Sequence, residues 1–278
     1  MAVLDIDGTI VTTYKQLTRR TKSAIGRLVQ KGIPVCLCTG RNVASTLPVA
    51  RKLGLKTPCM CVDGLVMHDL AERKTIYENV LTVEATRAVL EIAESRNVNI
   101  EVVTWGTYDW LIKDKSIGDI YSIGSYGFSA NLIFEAYKRM FGIRYVKSLD
   151  SFKEAGEKVY QVVAMGEPLE LEAIQEELAK RSLPKLSVRL MWGNQLFITG
   201  ENAGKYYGLK LLCDHYGIAL DEVVAVGDDL NDLDMIQAAG FGVAMENGNP
   251  QVKAAAGMIT KPNSEDGAAL ALEKLFCL

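Results

Sequence analysis

The chain has 278 residues, a net charge of −3, 49% hydrophobic and 23% charged residues, which fits one large or two medium globular domains. The small negative charge argues against a general electrostatic surface for nucleic acid or anionic membranes. No run is apolar enough to span a membrane, and the N-terminus lacks a signal-peptide pattern. We therefore expect a cytoplasmic protein that binds neither nucleic acid nor membrane, and its oligomeric state stays open between monomer and weak dimer.

The first 80 residues alternate short apolar runs with helical patterns. Strands are predicted at Ala2–Leu4, 33–38 and 58–62, with helices between them that end at Gly32 and Gly54. Continuous apolar runs of this kind are typical of strands that are buried on both faces. The alternation of strand and helix predicts a parallel α/β sheet.

The pattern changes near residue 81. Pairs of strand-like runs now flank grouped helices, which predicts an α+β domain with an antiparallel sheet and helices on one face. The predicted helices lie at 82–92, 132–140 and 169–181, and the strands at 100–105, 108–112, 143–146, 159–165, 186–191 and 195–199. We expect residues 81–189 to be a domain inserted into the first one.

The alternation of strand and helix resumes after the insertion. A helix at 203–216 precedes predicted strands at 223–226, 242–245 and 258–260, with further helical patterns between and after them. The first and last thirds, residues 1–80 and 190–278, are therefore expected to share one doubly wound, mainly parallel, Rossmann-like core sheet. The fold class predicted is α/β with an inserted α+β cap.

Two carboxylates follow the first strand. Asp5 and Asp7 are separated by one residue, and Gly8 then breaks the strand. One interpretation is an ordinary Asp-Gly turn. The other is a pair of acids at a ligand-binding sheet edge, where one could hold a hard cation and one could attack an electrophile.

Polar residues also follow two other predicted strands, which favours the second interpretation. They are Thr39-Gly40-Arg41 and the acidic run from Asp228 to Asp232. Because the carboxyl ends of parallel strands share one edge, acids from the first strand and from this run can bind one Mg²⁺ ion. The run does not fit an EF-hand calcium loop, since the required Gly and Glu are out of place.

Thr39 and Lys205 complete a predicted receptor for a phosphoryl group. Both lie at predicted helix starts on the same sheet edge, where a hydroxyl, backbone amides and an ammonium can hold an anion. Taken singly, Thr39 could be a helix cap and Lys205 a solvated surface residue. Their joint order with the acids favours the receptor.

Two C-x-C pairs need a separate interpretation. Cys36 with Cys38, and Cys59 with Cys61, lie inside apolar runs at the spacing that puts both thiols on one face of a strand. Zinc ligands are usually spaced C-x₂₋₄-C, so we interpret these thiols as core residues.

The order of these motifs resembles the haloacid dehalogenase superfamily, in particular its Cof-type phosphatases with a large C2-type α/β cap. The resemblance covers the first and last thirds of the chain in the family's order and spacing. It rests on D-x-D-G-T at 5–9, T-G-R at 39–41, Lys205 with Gly208, G-D-D-x-N-D at 227–232, V-A-M-E-N at 243–247 and E-D-G at 265–267.

The resemblance implies a role for each matching residue. Asp5 would be the nucleophile that forms an aspartyl-phosphate, and Asp7 would protonate the leaving group and then activate water. Mg²⁺ would be held by the Asp5 carboxylate, the Asp7 backbone carbonyl and Asp228. The remaining residues would hold the phosphate or orient its ligands: Thr39, Gly40, Lys205 and Asn231 for the phosphate, and Asp232 for Lys205 or a metal-bound water.

The resemblance also implies the function and leaves parts of it open. It implies a Mg²⁺-dependent phosphatase for small phosphorylated metabolites, with sugar phosphates the first class to consider. A phosphomutase and a catalytically silent phosphometabolite-binding protein are the alternatives. The chain departs from the family at Asp63-Gly64, where the family often has Asn-Gly, so Asp63 either alters substrate preference or only shapes the turn. With four residues before Asp5, the start of the native chain also stays open.

In this family the cap sets specificity. The predicted cap is rich in aromatic residues, which either line a ring-binding surface or pack its own sheet. These residues are Trp105, Tyr108, Trp110, Tyr121, Tyr126 and Phe128, and the other open candidates are Arg144, Lys147, Arg189 and Trp192.

Overall fold

A computed structural model describes residues 1–113, 138–139, 141–153, 157–181, 183 and 185–278. The chain divides into two compact units. The core unit comprises Met1–Glu78 and Ala203–Leu278, and the inserted unit comprises Asn79–Asn202. The second boundary therefore lies near residue 203 and not at the expected 190, because the strand at 195–200 pairs with strands of the inserted unit.

The described helices and strands follow the predicted order, except for the short helix Asp150–Lys153, which the sequence did not predict. The described strands are β1 Ala2–Leu4, β2 Val35–Leu37, β3 Cys59–Cys61, β4 Val66–Asp69, β5 Lys74–Glu78, β6 Asn99–Val103, β7 Tyr108–Leu111, β8 Ile143–Tyr145, β9 Gln161–Met165, β10 Leu186–Met191, β11 Gln195–Gly200, β12 Val224–Gly227, β13 Phe241–Met245 and β14 Met258–Thr260. The α-helices are α1 Arg19–Gln30, α2 Val43–Leu53, α3 Val83–Glu94, α4 Asp150–Lys153, α5 Pro168–Lys180, α6 Lys205–Tyr216, α7 Leu233–Ala238, α8 Pro250–Ala255 and α9 Gly267–Leu275. A 3₁₀ turn at Leu230–Asp232 precedes α7.

The core unit is built on a five-stranded parallel sheet in the order β14-β13-β12-β1-β2. Both faces are covered, since adjacent residues of β1 are fully buried. One face packs on α6 and α7, and α1 contacts β2 and α9. This is the doubly wound arrangement expected from the uninterrupted apolar strands.

Local signals explain where the core helices begin and end. The Thr18 side chain accepts a hydrogen bond from the Thr21 backbone N–H and begins α1. Asn42 caps α2 in the same way through the Ser45 N–H. Gly54, with φ +68°, ends α2 in the left-handed conformation that glycine tolerates best.

The strand predicted at 58–62 belongs to a separate small sheet. β3, β4 and β5 form a three-stranded antiparallel sheet. One parallel bridge between Cys38 and Met60 links β3 to β2.

The thiols of Cys36 and Cys38 are fully buried in the core, and burial raises the pKa of Cys36 to about 12.

The inserted unit has a six-stranded sheet in the order β10-β11-β9-β6-β7-β8. All pairs are antiparallel except β7 with β8. One face forms an apolar core with α3, α4 and α5, which is the predicted placement of helices on one face; its strand residues include Ile100, Val102, Val162, Ala164, Leu196 and Ile198. The α3 helix begins at the predicted cap, Thr82.

The two ends of the inserted unit lie together. The Asn79 side-chain amide donates a 2.5 Å hydrogen bond to the Glu201 carbonyl. The same side chain packs so closely on Gly200 that a Cβ there would lie 2.2 Å from Asn79 Oδ1. Among the described residues, no helix has the length and apolar character needed to cross a membrane.

Several predictions concern residues outside the described part of the chain. They are most of the helix at 132–140 and the aromatic side chains of Tyr121, Tyr126 and Phe128. Of the described aromatics, Tyr108 and Trp110 are buried within the inserted unit, whereas Trp105 is partly exposed.

Candidate active site

Three neighbouring strands bring the predicted residues to one edge of the core sheet. Asp5 follows β1, Thr39 lies two residues after β2, and Asp228 follows β12. β1 lies between the other two strands, and the Asp5 backbone N–H donates a 3.0 Å hydrogen bond to the Val226 carbonyl. The parallel topology thus collects side chains that are more than 200 positions apart in the sequence.

Lys205 connects two carboxylates at this edge. Its Nζ donates to Asp5 Oδ1 at 2.6 Å and to Asp232 Oδ1 at 2.5 Å. Lys205 is 1% exposed, so it is not the solvated surface lysine of the alternative interpretation. Burial lowers the pKa of Lys205, but the Asp232 and Asp5 carboxylates outweigh it and raise the pKa well above the usual lysine value.

Asp232 is held on its other side by backbone amides. Its Oδ2 accepts hydrogen bonds from the N–H groups of Asp228 and Asp229, at 2.8 and 3.0 Å. The carboxylate packs directly on Gly227, where a Cβ would lie 2.4 Å from Asp232 Cγ. Both oxygens of Asp232 are therefore engaged, and its geometry is that of a residue that orients Lys205.

Negative charge exceeds positive charge in this cluster. Carboxylate oxygens of Asp5, Asp228 and Asp232 lie within 4.8 Å of one another, around the single ammonium of Lys205. Burial, with the neighbouring carboxylates, raises the pKa of Asp5 well above its usual value although Lys205 opposes the change. Burial and the Asp232 charge raise the pKa of Asp228 to about 7. A divalent cation would relieve this excess of negative charge.

The donor set at this position fits a hard cation. Asp228 Oδ1 accepts a 2.8 Å hydrogen bond from the Thr9 hydroxyl, which fixes the carboxylate. Its Oδ2 lies against Gly8, where a Cβ would come within 2.1 Å, so the chain needs glycine there. Oδ2 of Asp5 and of Asp228 accept no hydrogen bond from the described residues. These free oxygens are ligands of the kind that Mg²⁺ prefers.

Asp7 points to two cations and not to the carboxylate cluster. Arg41 binds it in a bidentate pair, with Nε to Oδ2 at 2.6 Å and the second guanidinium nitrogen to Oδ1 at 2.7 Å. Lys15 Nζ donates to the same Oδ1 at 2.6 Å. Burial raises the pKa of Asp7, but Arg41 and Lys15 outweigh it and hold the pKa well below the usual aspartate value.

The predicted phosphate loop lies beside Asp63. The Thr39 hydroxyl is buried and accepts the Arg41 N–H at 3.2 Å. A Cβ on Gly40 would lie 3.3 Å from Asp63 Oδ1. The same oxygen accepts a 2.9 Å hydrogen bond from the Asn231 side-chain amide. The Asp63 backbone N–H also donates a 3.1 Å hydrogen bond to the Thr39 carbonyl, so Asp63 binds two of the four predicted phosphate-binding residues, Thr39 and Asn231, and lies beside a third, Gly40.

The backbone at Asp63 is strained. Val62 and Asp63 have φ values of +49° and +48°, and a β-branched residue in this region is a conformational outlier. Gly64 continues the turn with φ +87°, and a Cβ there would come within 2.4 Å of the Gly204 carbonyl. Outliers of this kind persist where surrounding structure holds them and often lie at functional sites.

Four contacts in this site were not predicted from the sequence. They are the ion pairs of Arg41 and Lys15 with Asp7, the hydrogen bond of Thr9 with Asp228, and that of Asn231 with Asp63. Arg41 and Thr9 lie inside quoted motifs, so a signal existed for them. Lys15 lies in a loop with no motif, and nothing in the sequence pairs it with Asp7.

Comparison with known proteins places the chain in a family. Residues 2–272 match the family model described as haloacid dehalogenase-like hydrolase. The chain is 28% identical to the 5-amino-6-(5-phospho-D-ribitylamino)uracil phosphatase YwtE of Bacillus subtilis, covering 98% of this chain and 96% of that protein. It is 24% identical to the pyridoxal phosphate phosphatase YbhA of Escherichia coli, covering 96% and 94% of the two chains.

The solved structures agree with the sequence matches. A haloacid dehalogenase-like hydrolase from B. subtilis has a TM-score of 0.82 and 26% identity, with 99% of each chain covered. The predictions of the family, of its α/β fold and of a phosphoric monoester hydrolase are thereby confirmed. The chain belongs to the haloacid dehalogenase-like hydrolases.

Proposed function

We propose that this protein is a Mg²⁺-dependent phosphatase that hydrolyses small phosphorylated metabolites through an aspartyl-phosphate on Asp5. The observation that carries the proposal is the pairing of Lys205 with Asp5 at 2.6 Å, beside the carboxylate of Asp228. A buried nucleophile next to a fixed ammonium and a cation site suits attack on a phosphoryl group. The named relatives are phosphatases, which supports the same chemistry.

In the first step a carboxylate oxygen of Asp5 attacks phosphorus, and the bond from phosphorus to the leaving alcohol oxygen breaks. Lys205, already held by Asp232, offsets the repulsion between the carboxylate and the phosphate oxygens. Thr39, the Gly40 backbone and Asn231 hold the remaining phosphate oxygens. The product of this step is a phosphorylated Asp5 and an alcohol.

In the second step water attacks the same phosphorus, and the Asp5–phosphate bond breaks to release phosphate and the free carboxylate. Asp7 supplies a proton to the leaving alcohol in the first step and removes one from water in the second. The carboxyl of Asp7 has to leave Arg41 before it can donate, because this ion pair favours the ionised form.

Mg²⁺, held by the carboxylates of Asp5 and Asp228 and by the backbone carbonyl of Asp7, would neutralise phosphate charge and position it for in-line attack. The remaining free oxygens of Asp5 and Asp228 support this ligand set. Asp232 stays outside it in this proposal, because both of its oxygens already accept hydrogen bonds.

Small phosphorylated metabolites are the proposed substrates, with sugar phosphates as the first class to examine. The named activities of the relatives, toward a phosphoribitylamino uracil and toward pyridoxal phosphate, support a small phosphorylated organic substrate. The inserted unit, residues 79–202, is the proposed specificity domain. Cytoplasmic location and the absence of nucleic-acid partners are predictions from composition, and the oligomeric state stays open between monomer and weak dimer.

Two alternatives share the same site. A phosphomutase would return the phosphoryl group to a second hydroxyl, and a silent protein would bind the phosphometabolite without turnover. Asp5, Asp7, Lys205 and Asp228 are all present, which favours an active enzyme over the silent protein. Product analysis separates hydrolysis from the mutase reaction.

The test is release of phosphate from 4-nitrophenyl phosphate with Mg²⁺, with EDTA, and by an Asp5→Asn variant. We expect turnover only with the metal, and a loss of roughly 10⁴-fold in Asp5→Asn, since loss of a nucleophile has effects of this order. Asn preserves the shape of Asp5 and can still bind Lys205 through its carbonyl oxygen. Rapid acid quench of the parent enzyme should trap phosphate on the peptide that contains Asp5.

Cys277→Ser is the matched control, since Cys277 is exposed and lies outside the predicted motifs. Turnover that persists in EDTA, or an Asp5→Asn enzyme as active as the parent, would contradict the mechanism.

A further inference from the structure

Two motifs of the core unit have no role in the proposed mechanism. They are V-A-M-E-N at 243–247 and E-D-G at 265–267. Asn247 lies two residues after β13, and Asn263 lies three residues after β14, so both follow parallel strands of the core sheet. Because parallel strands share one carboxyl edge, these asparagines lie at the edge that carries Asp5 and Asp228.

Asn247 and Asn263 hold the loop that leaves β1. The Asn247 side-chain amide donates a 3.0 Å hydrogen bond to the Gly8 carbonyl. The Asn263 side-chain amide donates a 2.9 Å hydrogen bond to the Val11 carbonyl. The Asn247 side-chain oxygen accepts the Asn263 backbone N–H at 2.8 Å, so the two residues also hold each other. We call these two side chains the asparagine clamp, which fixes residues 8–11 at both ends.

The loop that carries Asn247 also holds the end of β12. The Asn249 backbone N–H donates a 2.7 Å hydrogen bond to the Asp228 carbonyl. Gly248 lies so close that a Cβ there would be 2.6 Å from the same carbonyl oxygen. Consecutive residues of one loop therefore contact both Gly8 and Asp228, and this loop sets the distance between the two segments.

This distance matters because each segment carries part of the proposed cation site. Asp7, which forms an isolated β-bridge with Val11, provides its backbone carbonyl, and the segment after β12 provides the Asp228 carboxylate. The Thr9 hydroxyl joins the two segments through its 2.8 Å hydrogen bond to Asp228 Oδ1. Mg²⁺ requires near-ideal octahedral geometry and short metal–oxygen distances, so a displaced loop would weaken its binding.

The E-D-G motif shapes the turn that presents Asn263. A Cβ on Gly267 would lie 1.7 Å from the Lys261 carbonyl oxygen, so the turn needs glycine there. The Thr260 hydroxyl donates a 2.6 Å hydrogen bond to the Gly267 carbonyl, and Asp266 adopts a φ of +59°. The motif thus closes the turn between β14 and α9, and Asn263 lies inside this turn.

We propose that Asn247 and Asn263 are positioning residues for the divalent cation. They hold residues 8–11 where the Asp7 carbonyl and the Asp228 carboxylate can bind the same ion. Neither asparagine contacts the ion in this proposal, since each acts through a backbone carbonyl of the loop. Ligands that are already in place bind more tightly, because the ion does not have to order them. The inference rests on the proposed phosphatase function and deepens its metal site.

The first experiment measures metal binding without turnover. Mn²⁺, which prefers the same oxygen ligands as Mg²⁺ and is detected by electron paramagnetic resonance, is titrated into the parent protein, Asn247→Leu and Asn263→Leu. Leu is close to Asn in size and removes the side-chain hydrogen bonds. We expect the Mn²⁺ dissociation constant to rise roughly fivefold in each variant, which is the effect of one lost hydrogen bond.

Gln251→Leu is the matched control, because it removes an exposed amide of α8 that lies outside the clamp. Its Mn²⁺ dissociation constant should equal that of the parent. An unchanged dissociation constant in both clamp variants would overturn the proposal.

Hydrogen exchange tests the loop itself. The backbone N–H groups of Ile10 and Val11 donate to the Ile6 carbonyl, both at 3.1 Å, so their exchange reports opening of this loop. Without metal, the peptide that contains them should exchange faster in Asn247→Leu than in the parent, and Mn²⁺ should restore the parent rate. Equal exchange rates in the two metal-free proteins would contradict the clamp.

Kinetics separate a positioning role from a merely structural one. Hydrolysis of 4-nitrophenyl phosphate is measured as a function of Mg²⁺ concentration. The half-saturating Mg²⁺ concentration should rise roughly fivefold in each clamp variant, whereas kcat at saturating Mg²⁺ should stay near that of the parent, because the bound ion orders the loop. A kcat that stays low at saturating Mg²⁺ would show a general structural defect and contradict the positioning role.

The metal titration also separates this inference from the proposed function. If the parent hydrolyses no phosphate ester but the clamp variants lose Mn²⁺ affinity, the phosphatase proposal fails and the positioning role stands. If the parent hydrolyses 4-nitrophenyl phosphate but the clamp variants bind Mn²⁺ as tightly as the parent does, only the inference about the clamp fails.

Discussion

The two units use buried charge in opposite ways. In the core unit, Lys205 is buried between Asp5 and Asp232, and each charge has an opposite charge at hydrogen-bond distance. In the inserted unit, the Glu101 carboxyl is equally buried but accepts only a neutral donor, Trp110 Nε1, at 2.5 Å. No cationic side chain of the described residues pairs with Glu101.

The two units therefore differ in how completely their buried polar groups are paired. The core site is preorganised, because its charges hold one another in place; in the proposed mechanism it receives a phosphoryl group without rearranging Lys205. The inserted sheet leaves polar groups incompletely paired and is therefore less stable than its apolar core alone would make it. Removing a buried charge should destabilise the first unit and stabilise the second.

The largest effect is expected for Lys205→Met. The variant leaves the carboxylates of Asp5 and Asp232 buried without a cation, which should lower the free energy of unfolding of the core unit by about 3–5 kcal/mol. Phosphatase turnover should fall by roughly 10³-fold, because the phosphate loses its ammonium partner. Denaturant titration and phosphate release measure the two effects.

Lys210→Met is the matched control for this variant, since Lys210 is exposed on the same helix, α6. Both quantities should stay near those of the parent. A Lys205→Met protein that is as stable as Lys210→Met would show that the buried pair does not hold the core site together.

Glu101→Gln should raise the free energy of unfolding, which is the opposite of the effect expected for Lys205→Met. Burial raises the pKa of Glu101 from 4.5 to about 7, although the Trp110 hydrogen bond opposes the change. Below pH 4.5 the Glu101 carboxyl is protonated in both the folded and the unfolded protein, so it does not lower the stability. As pH rises from 4.5 to 7 the unfolded chain releases the proton first, so stability falls, by on the order of 3 kcal/mol above pH 7. Gln removes this loss and retains an acceptor for Trp110.

The measurement is the free energy of unfolding of Glu101→Gln and of the parent at pH 5 and pH 8, with hydrogen exchange to assign the change to the inserted unit. The variant should be the more stable protein at pH 8 and nearly equal to the parent at pH 5. Glu172→Gln, at an exposed position of α5, controls for the loss of a surface charge. A variant that is less stable than the parent at pH 8 would show that the carboxylate is compensated.

Asp63→Asn is expected to have the smallest effect. Asn keeps an oxygen for the Asn231 amide but removes a negative charge that lies against Gly40 and near Lys205. KM and the inhibition constant for inorganic phosphate should both fall, by roughly two- to fivefold, because a like charge is lost beside the proposed phosphate loop. If the inhibition constant for inorganic phosphate is unchanged, Asp63 only shapes the turn.

The parallel core was predictable because each of its signals is local. Apolar runs, helix caps such as Thr18 and acids directly after strands can be recognised within a few residues. The rule that parallel strands share one carboxyl edge then brought Asp5 and Asp228 together without further information. The placement of Lys205 beside them followed from the order of the motifs.

Contacts that depend on side-chain direction were not predictable. The pairing of Asp7 with Arg41 depends on how two loops turn after their strands, and the strained φ of Val62 has no signal in the sequence. The boundary at residue 203 depends on β11 pairing with β9, a long-range choice. Gln161 is an ordinary strand residue until the register shows which face it occupies.

The hydrogen bond between Asn79 and Glu201 has a consequence for how such a chain can evolve. It ties the first residue of the inserted unit to the residue before its last, so the insertion begins and ends close to one point. Because the ends of the insertion lie together, they are as close in the core unit as the ends of a short surface loop. Replacing the insertion with another compact segment therefore changes the entropy of loop closure little. The inserted unit can therefore be replaced as a whole while the core unit keeps its sequence.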